Sequence, residues 1–210
     1  MPSFELLSAF VVATAVFAYM PGPAMLYTAA QTMARGRKAG WLAALGIHIG
    51  GYAHVAAAAL GLAILFEAVP ILYTLLKFAG AAYLIWLGVK LFFSRDNITM
   101  SVLEVDAKSP KRAFWESVTV EVLNPKTAIF YVAFLPQFTD LSATFPIWLQ
   151  LFILGTIVNL MFSSADVIAV VLADKVSSAL RRSATAAKVA RRIGGSILVG
   201  LGVNVAASRQ

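Results

Sequence analysis

Long apolar stretches divided by short polar breaks run through nearly the whole chain. The first extends from Phe4 to Thr32, the second from Ala39 to Phe66, and the third from Pro70 to Phe93. The fourth runs from Phe114 to Pro136, the fifth from Phe145 to Ala173, and the sixth and shortest from Ile193 to Ala207. A bilayer core about 30 Å thick needs about 20 predominantly apolar residues at about 1.5 Å of helical rise each. The pattern therefore predicts an all-α integral membrane protein of six transmembrane helices in one domain over residues 1–210. The first stretch has no Lys or Arg before it and is longer than a signal-peptide core, so it reads as an uncleaved span.

The separators alternate in charge. Glu67 to Val69 and Gln137 to Thr144 contain no Lys or Arg. The other three hold Arg35, Arg37 and Lys38; Arg95, Lys108, Lys111 and Arg112; and Lys175, Arg181, Arg182, Lys188, Arg191 and Arg192, which is 13 of the 17 basic residues. Lys and Arg mark cytoplasmic loops, so loops one, three and five are expected inside a bacterial cytoplasmic (inner) membrane and both termini outside. The net charge of +7 is thus topological. It does not point to nucleic acid, because no soluble domain carries a basic face. These charges read as solvated loop ends attracted to anionic lipid, with no substrate role.

Composition agrees: 60% of residues are hydrophobic and 13% charged. The absence of Cys excludes disulfides, thiolate-held metals and thiol catalysis. With two His, no metal site or cofactor is expected. No Gly-x-Ser-x-Gly or His-Glu-x-x-His pattern supplies a nucleophile or a metal-held base, so no enzyme is expected.

Three spans per half invert the orientation between halves, so a repeat between residues 1–93 and 114–210, joined by a cytoplasmic loop at 94–113, would be an inverted one. Gly80 and Gly88-Val89 of span three match Gly194 and Gly202-Val203 of span six, with Lys77 and Arg191 three positions before the first glycine. Gly46, Gly50 and His54 in span two match Gly155, Asn159 and Ser163 in span five. The first span of each half is also interrupted by proline: Pro21-Gly22-Pro23 in span one and Asn124-Pro125-Lys126 in span four. Each proline removes an amide hydrogen and frees the carbonyl four residues earlier, on Phe17, Tyr19 and Glu121. Freed backbone groups are tolerated at membrane depth only where protein or a wet cavity satisfies them, so both breaks should face the interior. Simple kinks are the alternative, but paired interruptions in inverted halves point to a transport site.

These residues resemble the lysine exporter and homoserine/threonine resistance (LysE/RhtB) family of bacterial amino-acid efflux proteins, over the whole chain. The matches are Pro21-Gly22-Pro23 with Met25-Leu26-Tyr27, Ala34-Arg35-Gly36-Arg37-Lys38-Ala39-Gly40, Gly46, Leu76-Lys77, Gly80-Ala81-Ala82-Tyr83-Leu84, Leu123-Asn124-Pro125-Lys126, Phe130 and Phe134-Leu135-Pro136-Gln137-Phe138. The resemblance implies a six-helix inner-membrane exporter of amino acids or close derivatives, driven by exchange with protons. One departure is Gly51, where relatives carry a polar or acidic group, so a substrate contact there would be altered.

Charged groups at membrane depth are functional candidates by default. Asp166 lies eight residues before Asp174, roughly 12 Å from the inner end of span five. Gly155, Asn159, Ser163 and Asp166 share one helical face, expected to line the pathway. Glu121 lies at comparable depth and Lys126 nearer the midplane; the two form either an internal ion pair or substrate contacts. His54 is either a helix-packing donor or a proton or substrate contact. His48 falls off that face and reads as structural, Lys77 as a snorkelling cation, and Trp41, Trp115 and Trp148 as interfacial anchors. Substrate binding is expected at Pro21, Gly22, Pro23, Asn124, Pro125, Lys126, Asn159 and Asp166, and proton coupling at Asp166, Glu121 or His54. The half-helix starts after Pro23 and Pro125 would attract a carboxylate, and freed carbonyls or Asp166 an ammonium. Secondary active export by proton antiport and alternating access is the expected activity. A channel or passive pore for a small polar solute is the alternative, and a homo-oligomer is compatible with the pattern without being required by it.

Overall fold

The structure, a computed structural model, describes residues 4–93 and 110–173 together with the isolated positions 192, 196, 199, 200, 203 and 206. The expected sixth span, most of loops three and five, and the side chain of Lys77 lie outside the described residues. Among the described residues every regular element is helical: α1 (Phe4–Tyr19), α2 (Pro23–Arg35), α3 (Arg37–Ala56), α4 (Ala63–Ala68), α5 (Pro70–Phe93), α6 (Pro110–Val122), α7 (Pro125–Phe134) and α8 (Ile147–Val171). A π-helical turn at Ala57–Leu62 joins α3 to α4, and a 3₁₀ turn at Leu135–Phe138 continues α7.

Among the described residues two runs are long and apolar enough to cross a membrane unbroken, Arg37–Leu65 and Ile147–Val171. Two bent pairs, Leu7–Tyr19 with Pro23–Arg35 and Arg112–Val122 with Pro125–Phe138, raise the number of spans to as many as four if each pair is one span. The expected loop one contracts to Gly36, whose φ of 81° is the left-handed value glycine adopts without strain. Its amide bonds the Thr32 carbonyl and closes α2, and α3 starts at the next residue. Arg35, Arg37 and Lys38 therefore sit on helix ends.

The described surface carries many large exposed apolar side chains, while the mostly apolar interior also encloses polar and charged groups, unlike a protein folded in water. Leu60, Ile64, Ile71, Phe93 and Leu123 are each more than 60% exposed, whereas Thr28, Gln31, Ser117, Glu121, Asn159 and Asp166 are buried. Lipid is the solvent that suits those faces. Trp41, Trp115 and Trp148 are likewise exposed.

α3 packs chiefly on α6 and α8 and so holds the two halves of the chain together. The approach to α6 uses Gly46 and Gly50, where an added Cβ would sit 2.6 Å from the Phe114 carbonyl and 2.8 Å from the Val118 carbonyl. Any larger residue would push the helices apart. The apolar core centres on phenylalanines: Phe130, Phe134 and Phe138 follow at four-residue spacing and stack in sequence at 4.3 and 4.6 Å between centroids. Phe10 and Phe17 of α1 close on this column, Phe17 at 4.1 Å from Phe130.

Candidate functional site

Both proline interruptions break the helix. The axis turns by 45° between α1 and α2 and by 42° between α6 and α7. In the first break Gly22 is extended (φ −132°, ψ 179°) and precedes Pro23 at the first helical position, where proline's missing amide costs nothing. Gly22 has no side chain to cap α2, and the helix's first backbone bond comes from Leu26 to the Gly22 carbonyl. The Ala24 and Met25 amides therefore take no backbone partner among the described residues. In the second break Asn124 caps α7: its Oδ1 accepts from the Lys126 amide at 3.1 Å, and its Nδ2 donates to Glu121 Oε2 at 3.0 Å.

Two of the three carbonyls that these prolines free, those of Phe17 and Glu121, are taken up across the halves. Pro21 frees the Phe17 carbonyl, and Lys126 Nζ, from the opposite break, donates to it at 3.0 Å and to the Met20 carbonyl at 2.6 Å. The ammonium also lies 4.6 Å from the centre of the Phe17 ring. Pro125 frees the Glu121 carbonyl, and His54 Nε2 of α3 donates to it at 2.8 Å, alongside the Asn124 amide at 2.9 Å. Each half thus supplies the donor for the other half's break. The Lys126 stem crosses so close to Gly22 that a Cβ there would stand 2.7 Å from Lys126 Cδ.

A cavity of about 380 Å³, including the space at its mouth, opens between the breaks and α8. One wall is polar, with Glu121, Asn124, Lys126, Asn159, Ser163 and Asp166, and the other apolar, with Ala18, Met25, Ile47 and Phe162. The cavity therefore holds one ammonium and two carboxyl groups. Among the described residues neither carboxyl comes within ion-pair distance of Lys126, so of the two readings of Lys126 and Glu121 the internal ion pair is absent and Lys126 makes the main-chain contacts above. Glu121 is engaged by Asn124, whereas Asp166 makes no hydrogen bond among the described residues and is the open carboxyl of the site.

The α8 wall is tied to α3. Asn159 Nδ2 donates to the His48 carbonyl at 3.1 Å, and its amide fills the space that a side chain at position 51 would need. Ser163 donates to the Asn159 carbonyl at 2.8 Å, so in the 2.6 Å contact between Ser163 Oγ and His48 Nδ1 the imidazole is the donor. His48 is then no base for a serine nucleophile. Among the described residues no His, Cys, Asp and Glu group could hold a metal ion.

Of the expected site residues, Gly22, Asn124, Lys126, Asn159, Asp166 and Glu121 share this one cavity. Pro21, Pro23, Pro125 and His54 are not on its wall; Pro23 and Pro125 are exposed on the outer side of their helices. The prolines shape the site without touching it, and His54 acts one layer behind it. Sequence reasoning missed Thr127 and the apolar wall, which carry no signal apart from other membrane residues. It also missed the reach of Lys126, because the contact spans 109 residues between its own position and Phe17.

The family model described as LysE type translocator matches residues 15–209. The chain is 34% identical over 210 residues to the membrane protein YrhP of Bacillus subtilis (strain 168), covering 96% of this chain and 99% of that one. It is 34% identical over 135 residues to a leucine efflux protein of Enterobacter sp. (strain 638), 64% of each chain. A leucine efflux protein of Klebsiella pneumoniae is 33% identical over 127 residues, 60% of each chain. No solved structure matches.

Proposed function

As the chain belongs to the LysE type translocator family, and is a membrane transporter rather than an enzyme, we propose that it exports an amino acid by alternating access across the bacterial inner membrane. The carrying observation is that the two breaks meet at one cavity with an open carboxyl, Asp166, on its wall. A zwitterion lies with its ammonium at Asp166 and its carboxylate toward Lys126 and the uncapped start of α2. The apolar wall of Ala18, Met25, Ile47 and Phe162 accepts an uncharged aliphatic side chain. Leucine, the cargo in the names of two relatives, is therefore the first candidate.

Export runs by proton antiport in this reading. A proton entering from outside neutralises Asp166, or Glu121 beside it, and releases the ammonium. His54 holds the Glu121 carbonyl and keeps the second break closed while the acids change state. The arrangement is six helices in two inverted repeats, with both termini outside, loops one, three and five in the cytoplasm, and the lipid bilayer as the surrounding partner. The phenylalanine column, which packs on the cavity-lining Phe162 through Phe130, speaks against a standing pore.

The test is efflux from preloaded vesicles against a panel of aliphatic, hydroxylated and basic amino acids, with and without a pH gradient. Leucine efflux that accelerates with an inward proton gradient and falls with Asp166→Asn is expected. No efflux of any amino acid overturns the reading.

A further inference from the structure

Ala24, Thr28, Gln31 and Arg35 stand at offsets 0, 4, 7 and 11 along α2 and form one line on its surface. Ala24 ends that line at the cavity wall. Beyond it, Thr28 Oγ1, Gln31 Oε1 and both terminal nitrogens of Arg35 are buried with no hydrogen-bond partner among the described residues. Thr28 and Gln31 are no more than 1% exposed, so protein and not lipid covers them. Such a group costs about 1 to 3 kcal/mol, and more when charged, which makes three in one row expensive unless something polar visits them.

The row spans roughly 16 Å from the cavity to the loop-one end of the helix. The Glu116 carboxylate of α6, which faces α2 through a 3.5 Å contact from the Tyr27 hydroxyl, is held by Arg112 at 3.2 Å. Among the described residues that leaves the Arg35 guanidinium without an anion, and a guanidinium fits a carboxylate with two parallel bonds.

We propose that this face of α2 is the cytoplasmic leg of the pathway, and that Arg35 is a second binding station, separate from the cavity, for the carboxylate of the incoming amino acid. Gln31 and Thr28 then hand the polar head on to Ala24 and the cavity. The proposal rests on the export reading for its cargo, and on loop one being cytoplasmic for its direction.

The chain has no Cys, so a single introduced thiol is the only one present. Thr28→Cys, Gln31→Cys and Met33→Cys, each in the full-length protein, are exposed in inside-out and right-side-out vesicles to a charged, membrane-impermeant thiosulfonate. Met33 lies on the opposite, exposed face of α2. Only wetted thiols form the reactive thiolate, so positions 28 and 31 are expected to react from the loop-one side about tenfold faster than position 33. Leucine is expected to slow the reaction at position 31 about threefold at twice its dissociation constant. Leucinamide, which lacks the carboxylate, is expected not to. Arg35→Gln should abolish the protection, and Arg35→Lys should retain part of it.

Rates at 28 and 31 no faster than at 33, with export intact, overturn the leg and leave the exporter standing. Fast reaction only from the opposite side overturns its direction. Equal rates with leucine, with leucinamide and with neither overturn the carboxylate station. Reactive thiols in a protein that moves no amino acid overturn the export reading and keep the polar leg.

Discussion

α2 and α7 are the same device twice: a helix restarted by proline after a break of about the same angle, each beginning at the wall of one cavity. Their inward faces differ completely. α2 presents Thr28 Oγ1, Gln31 Oε1 and the terminal nitrogens of Arg35, which find no hydrogen-bond partner among the described residues. α7 and its 3₁₀ turn present Phe130, Phe134 and Phe138, stacked on one another and on α1. One leg carries a penalty that water or cargo would relieve; the other is packed with rings and gains nothing from hydration. The break sets where the helices part, and the face of the restarted helix sets how readily each leg opens.

The largest test of that difference is Phe134→Ala. The ring lies in the middle of the column, with neighbours on both sides and Phe10 beside it. Truncating a fully buried phenylalanine costs about 3 to 5 kcal/mol, to be read as a fall in unfolding temperature in detergent. The hole it leaves lies in the column that reaches the cavity-lining Phe162 through Phe130, so if the column is the closure, passive leucine leak from vesicles should rise about tenfold, the equivalent of about 1.4 kcal/mol off the barrier. Unchanged leak would mean that the column is core and not a closure.

Lys126→Met comes next. It keeps the stem beside Gly22 and deletes the ammonium that serves the Phe17 and Met20 carbonyls. Leaving two half-buried carbonyls without a donor is expected to cost about 2 kcal/mol net, and leucine efflux should fall about tenfold or more. Loss of stability with normal efflux would reduce Lys126 to a staple between the halves.

Thr28→Val should carry the opposite sign. Valine keeps the shape of threonine and removes a buried hydroxyl that has no partner, so the protein should gain about 1 kcal/mol while efflux slows. The Thr28 carbonyl still accepts from Thr32, so the helix is untouched. A variant both less stable and unimpaired in efflux would show that Thr28 is satisfied in the membrane and that the contrast between α2 and α7 is not one of hydration.

Much of this was legible before any coordinates. The two prolines fix their own φ and delete their own amides, so both breaks follow from local chemistry at Pro21 and Pro125. Helical periodicity likewise placed Asn159, Ser163 and Asp166 on one inward face of α8. Long-range pairing was not legible. Lys126 was equally able to meet Glu121, five residues away, and its turn toward Phe17 depends on how α1 and α7 cross. His54 has the same composition signal whether it binds cargo or caps Glu121. The π-helical turn at Ala57–Leu62 left no mark in a run of alanines and leucines, because a one-residue change in bonding register needs no special side chain. The unpaired row on α2 looked like ordinary polar residues at a span's end until burial was known.

The smallest effect concerns what anchors the packed leg from outside. Past Phe138 the chain turns through Asp140, whose carboxylate takes the Ser142 amide at 2.8 Å and the Ser142 hydroxyl at 2.6 Å. Gln150, at the start of α8, grips the Asp140 amide and carbonyl at 2.9 Å each. The Ser142 bonds hold the Asp140 carboxyl below its usual range, its folded value thus lying under its unfolded one. The contribution to loop order is therefore present above the ordinary carboxylate range and is lost as pH falls through the lowered value. Hydrogen exchange at the Ser142 amide, corrected for its intrinsic pH dependence, should show constant protection near neutrality and a decline in acid. Asp140→Asn keeps an acceptor without the charge, so protection should be weaker and flat with pH. The group is fully exposed, and water screens it strongly. If the acid-side decline persists in Asp140→Asn, the loop is held by Gln150 alone, and any pH response of the packed leg must come from the acids of the cavity.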